Sequence, residues 1–166
     1  MDSALRLKKV LVPTDFSRHS EHAFRHGAVL AKMAGAELVV MHVVEKFMDH
    51  SLLYSDVWPF QKPVNQYYND LEERTARRLA RQVEEAAGDA VEFRVLVTTG
   101  NPAEEIIRAV QEEEVDLIVI STHGRGALAQ ALIGSTTDRV LRRAPCPVLV
   151  IRADSRGFVT GGDPAE

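Results

Sequence analysis

The strongest chemical signal in the sequence lies at residues 121–138, which read STHGRGALAQALIGSTTD. Gly124 and Gly134 are separated by nine residues, and Gly134 is followed by a run of hydroxyl side chains at a predicted helix start. Glycine lets the backbone approach a ligand closely, and a helix N-terminus offers unpaired N–H groups to an anion. The pattern predicts a phosphate-binding site. Its side-chain contributors would be His123, Arg125, Ser135, Thr136 and Thr137.

Two other nucleotide motifs are disfavoured by their surroundings. Gly124-x-Gly126-x-x-Ala129 matches the dinucleotide fingerprint, but it follows the fourth predicted strand, and no acidic residue ends a strand about 20 residues later. The P-loop pattern G-x-x-x-x-G-K-[ST] does not occur in the sequence. A plainer alternative stays open, in which Ser135 only caps a helix and the glycines only form a turn.

A second group of candidate ligands is formed by His19, His22 and His26. Their spacing of three and four residues places them on one face of a helix, and zinc is often bound at such spacing. No cysteine or carboxylate pair completes a ligand set, so we interpret them as a solvent-facing polar stripe. Cys146 lies between two prolines and is expected to be a small packing residue.

Composition limits the class of protein. The 166 residues suit one domain, and 45% hydrophobic residues can build a buried core. The chain has 20 basic and 24 acidic residues, a net charge of -4 that argues against nucleic acid as a partner. One cysteine excludes an internal disulfide, and no apolar run has the length of a membrane span. Without a signal peptide at the N-terminus, we expect a cytoplasmic protein.

Strands and helices alternate along the predicted chain. Apolar runs predict strands at residues 10–12, 37–44, 91–97, 116–120 and 147–151. Capping residues predict helices at 17–34, 65–87, about 102–113 and 135–143, with N-caps at Ser17, Asn101 and Ser135. The aromatic-rich segment 45–64 is expected to be an ordered excursion with a short helical turn near 51–57.

Such alternation predicts a parallel sheet with right-handed crossovers. Ligands of these sheets bind beyond the carboxyl ends of the strands, where the strand order reverses. The expected contacts therefore come from the segments that follow the strands. These are Pro13-Thr14-Asp15, Val43-Val44-Glu45, Thr98-Thr99-Gly100 and Ser121-Thr122-His123-Gly124.

Together these features resemble the universal stress protein family over about residues 8–152. Nucleotide-binding members carry a glycine, two residues, a second glycine, nine residues, and a third glycine followed by Ser or Thr. Gly124 and Gly134-Ser135 match the second and third glycines, and Ser121 stands at the first. The segments VLVPTDFS, VVMHVV and APCPVLVIR resemble the family's first, second and last strands. Serine fits the first position where φ is negative and would be strained at positive φ.

The resemblance implies an α/β fold of the adenine nucleotide alpha hydrolase-like type: a single open five-stranded parallel sheet in the order 3-2-1-4-5, with helices on both faces. Thr14 and Asp15 would lie near the adenosine, with Asp15 near the ribose or a metal, and the backbone of Val43 would contact adenine. The implied ligand contacts are Pro13, Thr14, Asp15, Val43, Ser121, Thr122, His123, Gly124, Arg125, Gly134, Ser135, Thr136 and Thr137.

The implied ligand is ATP, or AMP or ADP, with Mg²⁺ or Mn²⁺, in a stress-response switch with little or no hydrolysis. Two alternatives remain open, a nucleotide-free dimeric interaction module and a slow ATPase. The family implies a homodimer through the last strand, and the apolar edge strand at 148–151 favours it. Residues 1–152 would form the domain, and residues 153–166 a flexible tail.

Overall fold

A computed structural model describes residues 7–46, 63–87, 91–122, 133–152 and 159. The strands are β1 (Lys9–Pro13), β2 (Glu37–Val44), β3 (Phe93–Thr99), β4 (Leu117–Ser121) and β5 (Val148–Ile151). The helices are α1 (Arg18–Ala34), α2 (Val64–Ala87), α3 (Pro102–Glu112) and α4 (Ser135–Arg143). The predicted strands and helices are confirmed, with ends that shift by one or two residues. The predicted turn near residues 51–57 and most of the C-terminal tail lie outside the described residues.

The five strands form one parallel sheet in the order β3-β2-β1-β4-β5, which confirms the predicted fold. β1 lies at the centre, with Leu11 opposite Val39 of β2 and Ile118 of β4. The chain moves outward from β1 in one direction through β2 and β3, and in the other through β4 and β5. The strand order therefore reverses between β1 and β4, and the space beyond their carboxyl ends, called the crevice below, is where sheets of this kind bind ligands.

Successive residues of the strands point to opposite faces of the sheet, and each face has its own apolar core. Val10 and Val12 point toward the face that α1 and α2 cover, where Phe24 and Leu79 join them. Leu11, between those valines, packs on the other face among residues of α3 and α4. Since these strand residues are fully buried, each side chain contributes about 1.5–3 kcal/mol of transfer free energy.

The ends of α1 follow the sequence signals. Ser17 is the N-cap, and its hydroxyl accepts a hydrogen bond of 3.2 Å from the backbone N–H of Ser20. Gly35 ends the helix with a φ of 64°, in the left-handed region that favours glycine. Within α1, Gly27 is buried so closely against β1 that an added Cβ would collide with a methyl group of Val12. The helix therefore lies tight on the sheet.

Charged side chains join the amino ends of three strands. The guanidinium of Arg94 on β3 lies 2.5 Å from the carboxylate of Glu113 and 3.1 Å from that of Glu37 at the start of β2. Lys9, at the start of β1, lies 3.3 Å from Glu113. The hydrogen bond from Arg94 holds the pKa of the Glu113 carboxyl below its ordinary value. Glu113 is thus part of an ion-pair network.

The histidines of α1 do not form the exposed stripe that the sequence predicts. His26 is buried, and its Nδ1 lies 2.9 Å from the carbonyl oxygen of His22. The two rings meet edge to face at 4.6 Å. Burial, followed by the nearby His26 and Arg25, lowers the pKa of His22. Within the described part of the chain no group of three or more His, Cys, Asp or Glu side chains could hold a metal ion.

Cys146 is half-buried beside the core on the α3 and α4 face, which agrees with the packing role predicted for it. Burial raises the pKa of its thiol, so the residue is not built as a reactive thiolate. None of the helices in the described ranges is both long enough and apolar enough to cross a membrane.

Candidate functional site

The carboxyl ends of β1, β2 and β4 bring most of the predicted site residues to one edge of the sheet. Thr14 and Asp15 follow β1, Val43 is the penultimate residue of β2, and β4 ends at Ser121. β1 pairs with both neighbours, so these positions adjoin one crevice. Three predicted residues, His123, Gly124 and Arg125, lie outside the described residues.

The turn between β1 and α1 is fixed by its own side chains. The carboxylate of Asp15 accepts a hydrogen bond of 3.0 Å from the backbone N–H of Ser17, and the hydroxyl of Thr14 accepts one of 3.1 Å from the N–H of Phe16. Thr14 also shares a hydrogen bond of 3.0 Å with the hydroxyl of Ser20. Asp15 is therefore held at the crevice in a defined position, directly before the N-cap of α1.

Phe16 occupies an unusual backbone conformation in this turn. Its φ is 64°, a left-handed value that costs a residue with a side chain about 1–2 kcal/mol. Its ring lies 4.5 Å from the ring of His42, and the guanidinium carbon of Arg78 lies 4.4 Å from the ring centroid. These contacts from β2 and α2 hold the strained turn in place. Nothing in the local sequence of Thr14–Ser17 predicts them, since both partners are distant along the chain.

β2 extends past β1, and among the described residues the backbone groups of this extension have no strand partner on the side toward β1. Pairing with β1 stops at Met41, whose carbonyl oxygen accepts a hydrogen bond of 2.8 Å from Thr14. Residues of a strand direct their backbone groups to alternate sides, so Val43 faces the same side as Met41. On that side the carbonyl oxygen of Thr14 lies 2.7 Å from Nδ1 of His42 and does not pair with the N–H of Val43. Val43 therefore presents an N–H donor and a C=O acceptor to the crevice.

The opposite wall of the crevice is the start of α4. Gly134 is the N-cap, with φ −66° and ψ 153°, and as a glycine it has no side chain to cap the helix. Its N–H donates a hydrogen bond of 2.6 Å to the carbonyl oxygen of Thr122, just beyond β4. The prediction of Ser135 as N-cap is wrong by one residue, because this bond between Gly134 and Thr122 sets where the helix begins. Among the described residues, no side chain caps the first-turn N–H groups of α4, which lie at the positive end of the helix dipole.

The hydroxyl residues at this helix start differ in their surroundings. Ser135 is exposed and Thr136 is half-buried. Thr137 is only 4% exposed, and its hydroxyl donates a hydrogen bond of 2.8 Å to the carbonyl oxygen of Ser121. Thr137 thus ties α4 to the end of β4.

Ser121, at the position of the first family glycine, ends β4 in an extended conformation. Among the described residues other than glycine, only Phe16 and Glu114 have a positive φ. Serine therefore replaces glycine here without backbone strain. The residue is only 7% exposed, so Ser121 is buried at the end of β4.

A sequence model of the universal stress protein family matches residues 6–152. The chain belongs to the universal stress protein family. Universal stress protein MJ0577 of Methanocaldococcus jannaschii is 31% identical over 153 aligned residues, covering 87% of this chain and 94% of that protein.

Solved structures of universal stress proteins share the fold. The structure of UspA from Lactobacillus plantarum aligns with a TM-score of 0.74 at 30% identity, covering 90% of this chain and all of the other. A universal stress protein solved in complex with cAMP aligns with a TM-score of 0.58 at 24% identity, covering 87% of this chain and 95% of the other. At that identity the second likeness shows the fold alone.

Proposed function

We propose that this universal stress protein binds ATP in the crevice beyond β1, β2 and β4 and works as a regulatory switch in the stress response. One observation carries the proposal: the two walls of the crevice present open backbone groups of complementary kinds. Val43 offers a donor and an acceptor on one side, and the uncapped start of α4 offers a cluster of N–H donors on the other. A nucleotide has a base edge that fits the first and phosphates that fit the second.

The phosphates would lie at the start of α4. Gly134 has no side chain to obstruct them, and the first-turn N–H groups point toward the position of an anion. Ser135 and Thr136 supply hydroxyl donors from the same turn. Thr137 donates its proton to Ser121, so we assign it to positioning the helix rather than to direct phosphate contact. By family resemblance, residues 123–125 would supply the remaining phosphate contacts.

The adenosine would lie on the β1 and β2 side. The backbone N–H and C=O of Val43 form the donor and acceptor pair that the edge of adenine requires. Asp15 would bind the ribose or a metal ion on the phosphates, and Pro13 and Thr14 would line the sugar.

A divalent ion fits the residues present without a dedicated metal cage. Mg²⁺ on a nucleotide keeps several waters and usually takes one or two protein carboxylates besides the phosphates. Asp15 supplies one carboxylate at the crevice. A bound Mg²⁺ or Mn²⁺ would neutralise phosphate charge in an acidic protein of net charge -4.

We propose little or no hydrolysis. Rapid phosphoryl transfer requires a group that orients the attacking water as well as electrostatic clamps on the phosphates. Asp15 already accepts a hydrogen bond from Ser17 and is assigned to the ribose or the metal. A slow ATPase is the alternative, and phosphate release by the wild type above that of a Gly134→Val variant would favour it.

Calorimetry with ATP, ADP, AMP and cAMP tests the proposal. We expect a heat signal with ATP that Gly134→Val abolishes, because the branched side chain would fill the phosphate position. Gln111→Val, at an exposed position on α3, is the matched control and should bind like the wild type. The absence of heat at millimolar ATP would overturn ATP binding, and tighter binding of cAMP would replace ATP as the ligand.

The proposal includes a homodimer through β5, which is an edge of the sheet. Three of its four apolar residues are only half-buried in the single chain, and Leu141 on α4 is 39% exposed. An open apolar edge is a template for pairing with a second chain. Sedimentation at micromolar concentration should show a dimer, and a species of 18.4 kDa alone would contradict it. A cytoplasmic location is part of the same proposal, since one cysteine cannot form an internal disulfide.

A further inference from the structure

Four arginines form a continuous basic surface on α2. Arg74, Arg77, Arg78 and Arg81 follow one another at intervals of three, one and three residues, which places them on one helix face. All four are exposed, and together with Gln82 and Glu85 they line an open groove. We call the four residues the arginine row.

The arginine row is poorly neutralised by the rest of the described chain. Of its members, only Arg77 has a carboxylate within 4 Å, that of Glu73 at 3.6 Å. Arg78 packs on the ring of Phe16. Three arginines of the other helices pair with a carboxylate within one turn of their own helix, in Arg25–Glu21, Arg108–Glu105 and Arg142–Asp138. Like charges at this spacing destabilise a helix, so the row has an unfavourable local effect that an anionic partner would relieve.

Carboxylates lie at both ends of the row on the same helix face. Asp70 lies four residues before Arg74, and Glu85 lies four residues after Arg81. With a rise of 1.5 Å per residue, the basic part is about 10 Å long. The face therefore carries charge in the order negative, positive, negative.

This charge order selects the kind of partner. A nucleic acid duplex or an anionic membrane carries negative charge over a length far beyond 10 Å and would meet the flanking carboxylates and a chain of net charge -4. A second copy of α2, laid centre to centre in either direction, would place one arginine row against another. We propose that the arginine row docks a short acidic segment of a partner protein, with two to four carboxylates at its centre and basic residues on both sides.

The test uses the full chain and a synthetic probe. The probe is a fluorescein-labelled peptide of about 14 residues that has a central run of glutamates between lysines, and its binding is followed by fluorescence anisotropy. The row variant is Arg74→Gln, Arg77→Gln, Arg81→Gln, which leaves Arg78 on Phe16. Glutamine is a good helix former, so α2 is retained.

A charge-matched control separates the arginine row from net charge. Lys32→Gln, Arg108→Gln, Arg143→Gln removes the same charge from exposed positions on α1, α3 and α4. We expect the probe to bind the row variant at least tenfold more weakly than the wild type, and the control within twofold of it. Binding should weaken as salt rises, because the contacts are exposed ion pairs.

Several results would overturn the proposal. The first is an equal loss of probe affinity in the row variant and the control, and the second is no binding of the probe at hundreds of micromolar. The third is binding of a 20-base-pair duplex or of phosphatidylserine vesicles that depends on the arginine row and is tighter than binding of the probe. If the row variant does not melt cooperatively, Arg81→Gln alone replaces it, with a threefold loss as the threshold. ATP binding by the row variant should match the wild type, so failure here and failure of the nucleotide proposal are distinguishable.

Discussion

Thr137 and Thr136 are neighbours of the same residue type, and we propose different roles for them. The hydroxyl of Thr137 is buried and donates to Ser121 over 2.8 Å, across 16 residues of chain. Valine keeps its shape and removes the donor. A buried hydrogen bond contributes about 0.5–1.5 kcal/mol, and an acceptor that stays desolvated raises the loss, so Thr137→Val should lower the free energy of unfolding by about 1–2 kcal/mol.

That loss is measurable by thermal unfolding. For a domain of this size 1 kcal/mol shifts Tm by about 2–4 °C, so Thr137→Val should melt about 2–8 °C below the wild type. Thr136 is half-buried and belongs to the proposed phosphate contacts. Thr136→Val should change stability by less than about 0.5 kcal/mol. It should weaken ATP about tenfold or more, because a hydrogen bond to a charged phosphate is worth about 1.5–3 kcal/mol.

The two variants should show opposite effects when both are measured by thermal unfolding and calorimetry: one loses stability and the other loses ATP affinity. Well below its Tm, Thr137→Val should keep ATP affinity within about threefold of the wild type. A Thr137→Val protein that melts like the wild type but loses ATP would refute our assignment, since Thr137 would then contact the ligand. A Thr136→Val protein with unchanged ATP affinity would remove Thr136 from the site.

Further predictions concern packing, charge and the thiol. Gly27→Ala should destabilise the fold by about 1–3 kcal/mol in urea unfolding, because its Cβ meets Val12; a neutral result would contradict that packing. Arg94 lowers the pKa of Glu113, so the ionised carboxylate stabilises the folded state by up to about 1 kcal/mol. This stabilisation is fully present above the ordinary pKa of a glutamate and is lost as the pH falls through the lowered pKa. In Glu113→Gln the free energy of unfolding should therefore fall less steeply as the pH is lowered. An unchanged pH dependence would refute the contribution of the Arg94–Glu113 ion pair. Cys146 should react with iodoacetamide more slowly in the native state than in urea, and equal rates would contradict its burial.

The strand and helix pattern was predictable because burial on both faces of a parallel sheet leaves nearly unbroken apolar runs. Local signals also located α1 well, since Ser17 and Gly35 each satisfy backbone groups within a few residues. The start of α4 was not decided locally. Three hydroxyl residues follow Gly134, each able to cap, and a tertiary hydrogen bond from Gly134 to Thr122 selects the glycine.

The histidines of α1 show a different limit. Their spacing correctly places His22 beside His26, but periodicity does not say whether that helix face meets water or the sheet. His26 is buried beside Gly27, in a helix whose sheet-facing residues include the small Ala23 and Ala31. Small neighbours make room for an imidazole in the core, where the backbone carbonyl of His22 meets its polar atom.

The Phe16 turn depends on contacts that no local pattern contains. A left-handed phenylalanine is unfavourable on its own, and the partners that stabilise it lie on β2 and α2. Asp15 precedes Phe16 directly, so its position depends on His42 and Arg78 as well as on the local hydrogen bond from the N–H of Ser17. The sequence contains the local hydrogen bond, but the contacts that stabilise Phe16 exist only in the packed fold.

The backbone of Val43 extends past β1 because β2 is longer than β1. β1 has five residues and β2 has eight, and the two start in register at Lys9 and Glu37, so the last three residues of β2 extend past β1. β3 pairs with that extension on the far side, through Val43 opposite Thr98. Among the described residues the side toward β1 has no strand partner, and there, in our proposal, the backbone of Val43 recognises a base whatever side chain the residue carries. Adenine recognition in this proposal therefore follows from where a strand ends, which explains why so few of the implied contacts require a particular side chain.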